Sequence, residues 1–265
     1  MPELPEVEII ARELSPLILS KTVTSIDSID PMLNMKTQDI LNKTIENIRR
    51  KGKYLFWVFD DRSSLLVHMG MTGRLIYSEQ RENLRYQRAL VNLSQGFVSF
   101  CDSRRFGKMK YLLPIEMEIF INSLGIDPLM IDYTWENFER LFINKNLPIK
   151  NFLMNQSWVA GIGNIYANEI LILSKIYPEK RVSDLSSAEK KTLFSLIPIV
   201  LNQAIYCQGT TIRDYQHTDG STGFFQNCLL VYGREGQPCS ICQTPIRRFK
   251  MSQRSTYYCP NCQKK

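Results

Sequence analysis

Residues 54–68 read YLFWVFDDRSSLLVH, and this stretch indicates how the first part of the chain folds. The run 54–59 is aromatic and β-branched, and the run 64–68 follows it after a polar Asp-Asp-Arg turn. Such runs favour β-strands, and a short polar connection between them is typical of an antiparallel hairpin. A second pair of runs, 90–93 and 97–100, flanks a Ser-Gln-Gly turn. Together these segments predict an antiparallel β-domain.

Helical patterns lie on both sides of this β-region. On the N-terminal side, the apolar residues of segment 5–19 fall on one face of a helix; they are Val7, Ile10, Ala11, Leu14, Leu17 and Ile18. Pro5 and Glu6 suit the first turn of a helix. The N–H that proline lacks would have no partner within the helix there, and a carboxylate is stabilised by the positive N-terminal end of the helix. On the C-terminal side, helical segments are predicted at 135–142, 149–155, 165–174 and 186–206. The fold class is therefore α+β.

Four cysteines near the C-terminus form a metal-binding pattern, Cys239-x2-Cys242-x16-Cys259-x2-Cys262. Two CxxC pairs at this separation can hold one structural Zn²⁺ tetrahedrally, with no position open for chemistry. Residues 237–265 contain six Lys or Arg and no acidic residue. An uncompensated basic zinc hairpin favours DNA binding, although a zinc ribbon for protein contacts is the alternative.

Composition narrows the class of protein. The chain has 265 residues, 44% of them hydrophobic, and a formal net charge of +7, which favours a nucleic-acid partner. No apolar run approaches the roughly 20 residues that span a bilayer, and the acidic start lacks the features of a signal peptide. The seven cysteines are an odd number, so reduced thiols are expected rather than a disulfide framework. We therefore expect a cytoplasmic protein that does not enter membranes.

The first residues offer a chemical group of their own. Removal of Met1 would make Pro2 a terminal secondary amine, and α-amino groups titrate near pH ~8. A neutral amine can attack a sugar C1′ and form an iminium that promotes β-elimination. Glu3 would lie beside it as a proton donor. Pro-Glu at a terminus is common, however, so these two residues alone do not indicate catalysis.

Several blocks of the sequence resemble the formamidopyrimidine-DNA glycosylases. The first is PELPEVE, residues 2–8, which resembles the start of that family. Further matching blocks follow in family order: KGKYL at 51–55, HMGMTG at 68–73, RRFG at 104–107, GIGNIYA at 161–167 and QRSTYYC at 253–259. The resemblance covers the whole chain. It implies an N-terminal helix with an antiparallel β-sandwich (1–118), a helix-two-turns-helix domain (119–225) and a zinc hairpin (226–265).

The resemblance also implies an activity. Members of this family flip oxidised purines such as 8-oxoguanine and formamidopyrimidines out of duplex DNA, excise them, and cleave the abasic strand by β,δ-elimination. Leu4 favours this purine branch, because the sister endonuclease VIII-like family typically has glycine there. Two alternatives remain: a glycosylase for oxidised pyrimidines, and a non-catalytic zinc-ribbon DNA-binding protein. The expected partner is damaged double-stranded DNA, bound by a monomer with one structural Zn²⁺.

Matching positions imply four catalytic residues. Pro2 is the Schiff-base nucleophile and Glu3 the proton donor. Lys53 is the proton donor for β-elimination and a phosphate contact. Arg254, in the zinc hairpin, holds a phosphate and assists δ-elimination. Without the resemblance, Lys53 and Arg254 would be read as solvated surface charges.

The resemblance further implies a set of DNA contacts. Side chains that fill the space left by a flipped base offset its extrusion, which costs a few kcal/mol. Met71, Arg104 and Phe106 match these filling positions; the alternative is that Met71 and Phe106 are core residues. The remaining predicted contacts are Glu6, Tyr86, Lys150 and Asn164; Arg88 is the alternative to Tyr86 for a contact that the family usually makes with histidine.

The segment 218–225 corresponds to the loop that closes over the flipped base. It carries Ser221 and Thr222 where the family frequently has Lys-Pro. The presence of the loop favours purine lesions. His217, just before it, is expected to be a surface histidine rather than a catalyst.

Overall fold

A computed structural model of the chain describes residues 2–28, 30–31, 33, 37–211, 218 and 221–265. The chain divides into two compact units, each made of two segments. The first unit comprises Met1–Ser123 and Ile205–Gln226, and the second comprises Leu124–Ala204 and Asn227–Lys265. Whether the boundaries predicted at 118 and 225 delimit separate domains stays a prediction.

The first unit consists of two antiparallel four-stranded sheets with a helix at each end of the segment Met1–Ser123. Its elements are, in chain order, α1 (Leu4–Ile18), β1 (Val23–Ser28), β2 (Ile45–Lys51), β3 (Tyr54–Phe59), β4 (Ser64–His68), β5 (Arg74–Ser78), β6 (Gln87–Leu93), β7 (Phe97–Cys101), β8 (Lys108–Leu112) and α2 (Pro114–Ser123). One sheet has the order β1-β6-β7-β5 and the other β2-β3-β4-β8. The hairpins predicted around residues 54–68 and 90–100 are β3–β4 and β6–β7.

Strand β3 is buried on both of its faces, which explains why its sequence is apolar throughout. Leu55, Trp57 and Phe59 point into a core shared by α1 and both sheets. The alternate residues, including Phe56, lie on the opposite face against Met117 of α2. A sheet covered on both faces needs apolar residues without alternation, because neither face meets water. Helix α2 therefore covers the outer face of this sheet, as the apolar sequence of β3 requires.

The second unit is helical and ends in a two-stranded hairpin. Its elements are α3 (Trp135–Arg140), α4 (Ile149–Leu153), α5 (Asn164–Leu173), α6 (Ser187–Tyr206, whose last residues belong to the first unit), β9 (Arg247–Met251) and β10 (Arg254–Tyr258). Helices α4 and α5 are separated by two turns that contain Gly161 and Gly163. This is the predicted helix-two-turns-helix arrangement.

The hairpin packs on helix α5. Ile172 of α5 shares a small buried cluster with Val231, Ile246 and two of the cysteines, Cys239 and Cys259. The cluster is small, so polar contacts and a bound metal ion would add to its hydrophobic stabilisation of the hairpin. The α+β prediction, with N-terminal helix, antiparallel sandwich, helical region and four-cysteine hairpin, is confirmed.

No helix in the described part of the chain combines the length and apolar character needed to cross a bilayer.

Candidate active site and metal centre

The start of helix α1 places the two N-terminal candidates. Pro2 and Glu3 are both buried, and Glu3 is the N-cap of the helix. The Glu3 side chain accepts a hydrogen bond from the backbone of Glu6, while the Glu6 carboxylate accepts one from the Glu3 backbone N–H at 2.8 Å. The other Glu6 oxygen accepts from the backbone of Thr210 at 2.9 Å. These reciprocal bonds satisfy helix N–H groups and hold Glu3 in one orientation.

The β2–β3 turn places Lys53, which is 5% exposed. The buried Arg50 braces this turn, since its guanidinium donates to the carbonyl of Gly52 at 3.2 Å and to Glu8 of α1 at 2.5 Å. Burial raises the pKa of Glu8, but the hydrogen bond and charge of Arg50 outweigh it and leave the pKa below its ordinary value. The ion pair Glu8–Arg50 therefore connects helix α1 to the turn that carries Lys53.

His68, at the end of β4, is a residue that the sequence analysis did not assign to the site. Burial, followed by the charges of Lys53 and Lys108, lowers the pKa of His68 to about 4. Its Nδ1 accepts a hydrogen bond from the Gly70 N–H at 3.2 Å, so a neutral ring carries its proton on Nε2. Its interaction with Lys53 places this donor near a predicted catalytic residue. The signal was available, because His68 opens the HMGMTG block.

Two loops of the first unit present the predicted space-filling side chains. Met71 is 38% exposed and Phe106 is 52% exposed, so neither is a core residue. The guanidinium of Arg104 lies 5.0 Å from the centre of the Phe106 ring, a cation–π distance. Tyr86 is 42% exposed, has a positive φ of 63° and lies beneath the guanidinium of Arg85. Exposed apolar and aromatic tips of this kind can enter a base stack.

The four C-terminal cysteines form a metal centre. All four Sγ atoms lie within 4.8 Å of one another. The Sγ atoms of Cys242 and Cys259 are 3.4 Å apart, and those of Cys239 and Cys262 are 4.0 Å apart. Tetrahedral zinc with Zn–S bonds of about 2.3 Å separates its thiolates by about 3.8 Å, so this donor set fits one structural Zn²⁺.

Two buried polar residues outside the cysteines support this centre, and the sequence analysis missed both. Gln263 accepts from the Cys259 backbone N–H at 2.9 Å and donates to the carbonyl of Ile176 at 2.8 Å. Glu169 of α5 accepts from the backbone N–H groups of residues 230–232, and its pKa is raised by burial despite these bonds. A single carboxylate inside the apolar run of α5 was the available signal for Glu169.

Lys150, Asn164 and Arg254 all meet at strand β10. Lys150 is 1% exposed, and its ammonium donates to the carbonyl of Ser255 at 3.0 Å and to the hydroxyl of Thr256 at 2.8 Å. The Asn164 amide also donates to the Ser255 carbonyl, at 3.1 Å. Arg254 is exposed and begins β10, directly before this carbonyl. Lys150 and Arg254 line one cleft of about 280 Å³.

The predicted base-covering loop lies partly outside the described residues. His217 and residues 219–220 are not among them, and neither is Met1. Ser221 and Thr222 are described and exposed. Within the first unit, the Phe224 N–H donates to the carbonyl of Cys207 at 2.9 Å, which anchors the C-terminal end of the loop.

Three family models match consecutive parts of the chain. The formamidopyrimidine-DNA glycosylase N-terminal domain matches residues 1–109, and the formamidopyrimidine-DNA glycosylase H2TH domain matches residues 124–216. The zinc finger found in FPG and IleRS matches residues 236–265. Each match falls on the elements described above: the sandwich, the helix-two-turns-helix and the four-cysteine hairpin.

Whole-length relatives carry the same name. A formamidopyrimidine-DNA glycosylase of Rickettsia bellii (strain OSU 85-389) is 39% identical over 273 residues and covers 100% of both chains. Lactococcus lactis FPG (MutM) in complex with a FAPY-dG containing DNA matches with a TM-score of 0.91 and 32% identity, over 99% of this chain and 100% of that one. The Lactococcus lactis enzyme in complex with abasic-site DNA matches with a TM-score of 0.90 and 33% identity, over 99% of this chain and 100% of that one. Its complex with oxidised-pyrimidine DNA matches with a TM-score of 0.91 and 32% identity, over 100% of both chains.

Proposed function

Because the chain belongs to the formamidopyrimidine-DNA glycosylase family, we propose that it excises oxidised purines from duplex DNA and then cleaves the resulting abasic strand. The observation that carries this proposal is the buried start of α1, where Pro2 precedes a Glu3 held by a reciprocal capping box. A surface terminus would leave both groups mobile. Here the carboxylate is held by the capping box in the residue that directly follows Pro2, whose nitrogen becomes the terminal amine once Met1 is removed.

The first half of the proposed reaction replaces the base with Pro2. The neutral nitrogen of Pro2 attacks C1′ of the flipped nucleotide, the base leaves with the electron pair of the glycosidic bond, and the departing base takes the N–H proton of Pro2. The C1′–O4′ bond then breaks, O4′ takes its electrons and a proton from Glu3, and Pro2 and C1′ share an iminium. The fixed orientation of Glu3 supports its role as the proton donor.

The second half of the reaction breaks the strand. The iminium acidifies a C2′ proton, the Glu3 carboxylate left by the first half takes this proton, and the electron pair of the C–H bond expels the 3′ phosphate in β-elimination. A second elimination expels the 5′ phosphate, and water then releases Pro2 from the sugar remnant. Lys53 supplies a proton during β-elimination, and Arg254 neutralises phosphate charge during the second step. The burial of Lys53 and the exposed position of Arg254 on the hairpin support these different roles.

The choice of purine lesions rests on Leu4 and on the complex of the Lactococcus lactis relative with FAPY-dG DNA. The same relative also forms a complex with oxidised-pyrimidine DNA. The preference for purine over pyrimidine lesions is therefore defined by the ratio of the two excision rates. We expect faster excision of 8-oxoguanine opposite cytosine than of an oxidised pyrimidine at equal salt.

Borohydride trapping tests the proposal directly, since borohydride reduces an imine to a stable amine. Protein lacking Met1 and holding zinc is incubated with an 8-oxoguanine duplex, an oxidised-pyrimidine duplex and a preformed abasic duplex. We expect a cross-link that maps to Pro2 by mass spectrometry, forming fastest with abasic DNA and next with 8-oxoguanine. Glu3→Gln should lose base excision while retaining duplex binding, and Glu139→Gln, an exposed glutamate of α3, should retain both.

Three results would overturn parts of the proposal. Trapping with abasic DNA but not with 8-oxoguanine would leave the lyase and remove the purine assignment. Faster trapping with the pyrimidine duplex would favour the endonuclease VIII-like activity. The absence of any cross-link would indicate a DNA-binding protein without catalysis.

A further inference from the structure

A single buried carboxylate connects the two loops that present Met71, Arg104 and Phe106. Asp102, 1% exposed, follows strand β7 and begins the loop 102–107. Its Oδ2 accepts from the Gly107 N–H at 2.7 Å, at the other end of the same loop. Its Oδ1 accepts from the Arg104 N–H at 3.1 Å and from the hydroxyl of Thr72. Thr72 lies in the other loop, directly after Met71.

The two loops are also in close backbone contact. Gly70 has a φ of +58°, and a Cβ placed on it would lie 2.5 Å from the carbonyl carbon of Phe106 and 2.6 Å from the Gly107 nitrogen. The Thr72 hydroxyl lies 3.2 Å from the Arg104 N–H as well. Glycine is therefore needed here for close approach, and one hydrogen-bonded cluster sets the spacing of the two loops.

Asp102 is itself fixed by main-chain bonds. Its N–H donates to the carbonyl of Tyr86 at 2.9 Å, and its carbonyl accepts from the Arg88 guanidinium at 2.7 Å. Neither loop contains a helix or strand over the residues concerned, so no regular hydrogen-bond ladder holds the three tips. A charged acceptor makes stronger hydrogen bonds than a neutral one, and its loss takes the carboxylate acceptor away from the partly buried N–H groups of Arg104 and Gly107.

We propose that Asp102 is a positioning residue for base extrusion, which keeps the tips of Met71, Arg104 and Phe106 in one arrangement ready to enter the base stack. The inference rests on the proposed function, because it needs a reaction that extrudes a base. Asp102 touches no reacting atom; it acts through the Thr72 hydroxyl and the N–H groups of Arg104 and Gly107. Its loss should therefore affect extrusion more than the chemistry at Pro2.

Substitutions at Asp102 and Thr72 separate these steps. Asp102→Asn keeps the shape but places an amide N–H₂ where one carboxylate oxygen accepts hydrogen bonds. Thr72→Val removes only the hydroxyl, and Thr72→Ser keeps it as the matched control. In single-turnover assays on an 8-oxoguanine duplex, we expect Asp102→Asn to slow excision about ten- to a hundredfold and Thr72→Val about three- to tenfold. Thr72→Ser should stay within about twofold of the wild type.

Two readouts distinguish positioning from a general structural role. The trapping rate on preformed abasic DNA, from which no base must be extruded, should fall less than the excision rate in both Asp102→Asn and Thr72→Val. A 2-aminopurine next to the lesion should show a slower fluorescence rise, because the tips enter the stack later. Equal losses on both substrates, or a normal fluorescence rise, would overturn the proposal.

The Thr72 pair keeps the test decisive if Asp102→Asn does not fold, because removing one hydroxyl changes no charge. If wild-type protein excises 8-oxoguanine and Thr72→Val matches it in rate, the proposed function stands and the role of Asp102 falls. If the wild-type protein neither excises nor traps, both fall together.

Discussion

At the scale of single residues, His68 shows how the environment sets protonation next to a predicted catalytic lysine. The ring lies 4.7 Å from that of Tyr54, and it interacts with the charges of Lys53 and Lys108. Burial and these like charges both disfavour the imidazolium, so the pKa falls to about 4. At neutral pH His68 is therefore an uncharged hydrogen-bond donor through Nε2.

This lowered pKa predicts a pH dependence of stability. An unfolded histidine titrates near pH ~6.5, so between that value and about 4 the unfolded chain binds a proton that folded His68 does not. His68 therefore does not lower the free energy of unfolding above pH ~6.5. As the pH falls below that value, the free energy of unfolding decreases by up to about 1.4 kcal/mol per pH unit. His68→Gln should flatten this slope in urea unfolding at pH 7.5, 6 and 5. His217→Gln is the control, and an unchanged slope in His68→Gln would contradict the prediction.

Residues differ in how far their roles could be predicted from the sequence. The zinc ligands were predictable because their spacing is local and the coordination chemistry allows few alternatives. Lys150 was not, because its partners Ser255 and Thr256 are 105 and 106 residues away. The resemblance implied a phosphate contact, which stays a prediction, and only tertiary packing reveals that the ammonium is buried. Asp102 is similar, since its Thr72 partner lies 30 residues upstream.

At the scale of elements, a set of polar bonds joins strand β10 to helices α4 and α5. Lys150 of α4 and Asn164 of α5 share the carbonyl of Ser255, and Asn168 of α5 accepts from the Tyr257 N–H at 2.8 Å. These bonds follow directly after Arg254. Ser252 and Gln253 form the turn between β9 and β10. Both have a positive φ, as the two central residues of a tight two-residue hairpin turn require.

Lys150→Met should therefore loosen β10 and weaken DNA binding indirectly. The Thr256 hydroxyl loses a charged partner, and we expect a loss of about 1–3 kcal/mol in stability with faster hydrogen exchange over β10. Lys264→Met, an exposed lysine of the same unit, removes the same charge and is the matched control. If Lys150 instead acts as a plain phosphate contact, its variant would resemble Lys264→Met in stability and lower the salt dependence of binding by about one contact.

Elements were easier to predict than their partners. The run at 54–59 predicted a strand, because aromatic and β-branched residues fit a pleated surface. It did not predict that α2 covers the outer face, since an apolar run has the same appearance whichever layer buries it. The N-terminal helix was predictable from its apolar face, whereas the Glu8–Arg50 pair that joins it to the Lys53 turn spans 42 residues and leaves no periodic signal.

At the scale of the whole molecule, the predicted catalytic residues and the metal ligands belong to two compact units of the chain. Pro2, Glu3 and Lys53 belong to the first unit, and Arg254 and the zinc ligands belong to the second. Among the described residues, the buried cluster that forms the sandwich core includes none of the four ligand cysteines. The net charge of +7 makes DNA binding dependent on salt, so affinities must be compared at one ionic strength.

Zinc removal should thus disable binding without unfolding the sandwich. Without the metal, four thiol groups replace the Zn–S bonds, and the small apolar cluster around Ile172 cannot hold the hairpin alone. We expect hydrogen exchange to rise over Arg254–Tyr258 and stay low over Tyr54–Phe59, with DNA affinity reduced at least tenfold, corresponding to about 1.4 kcal/mol. Added zinc should restore both under reducing conditions, and Cys228→Ser, an exposed cysteine outside the metal centre, should behave as wild type. Unchanged affinity after verified metal removal would mean that Arg254 binds DNA without an ordered hairpin, and exchange rising equally in both segments would mean that the two units do not fold independently.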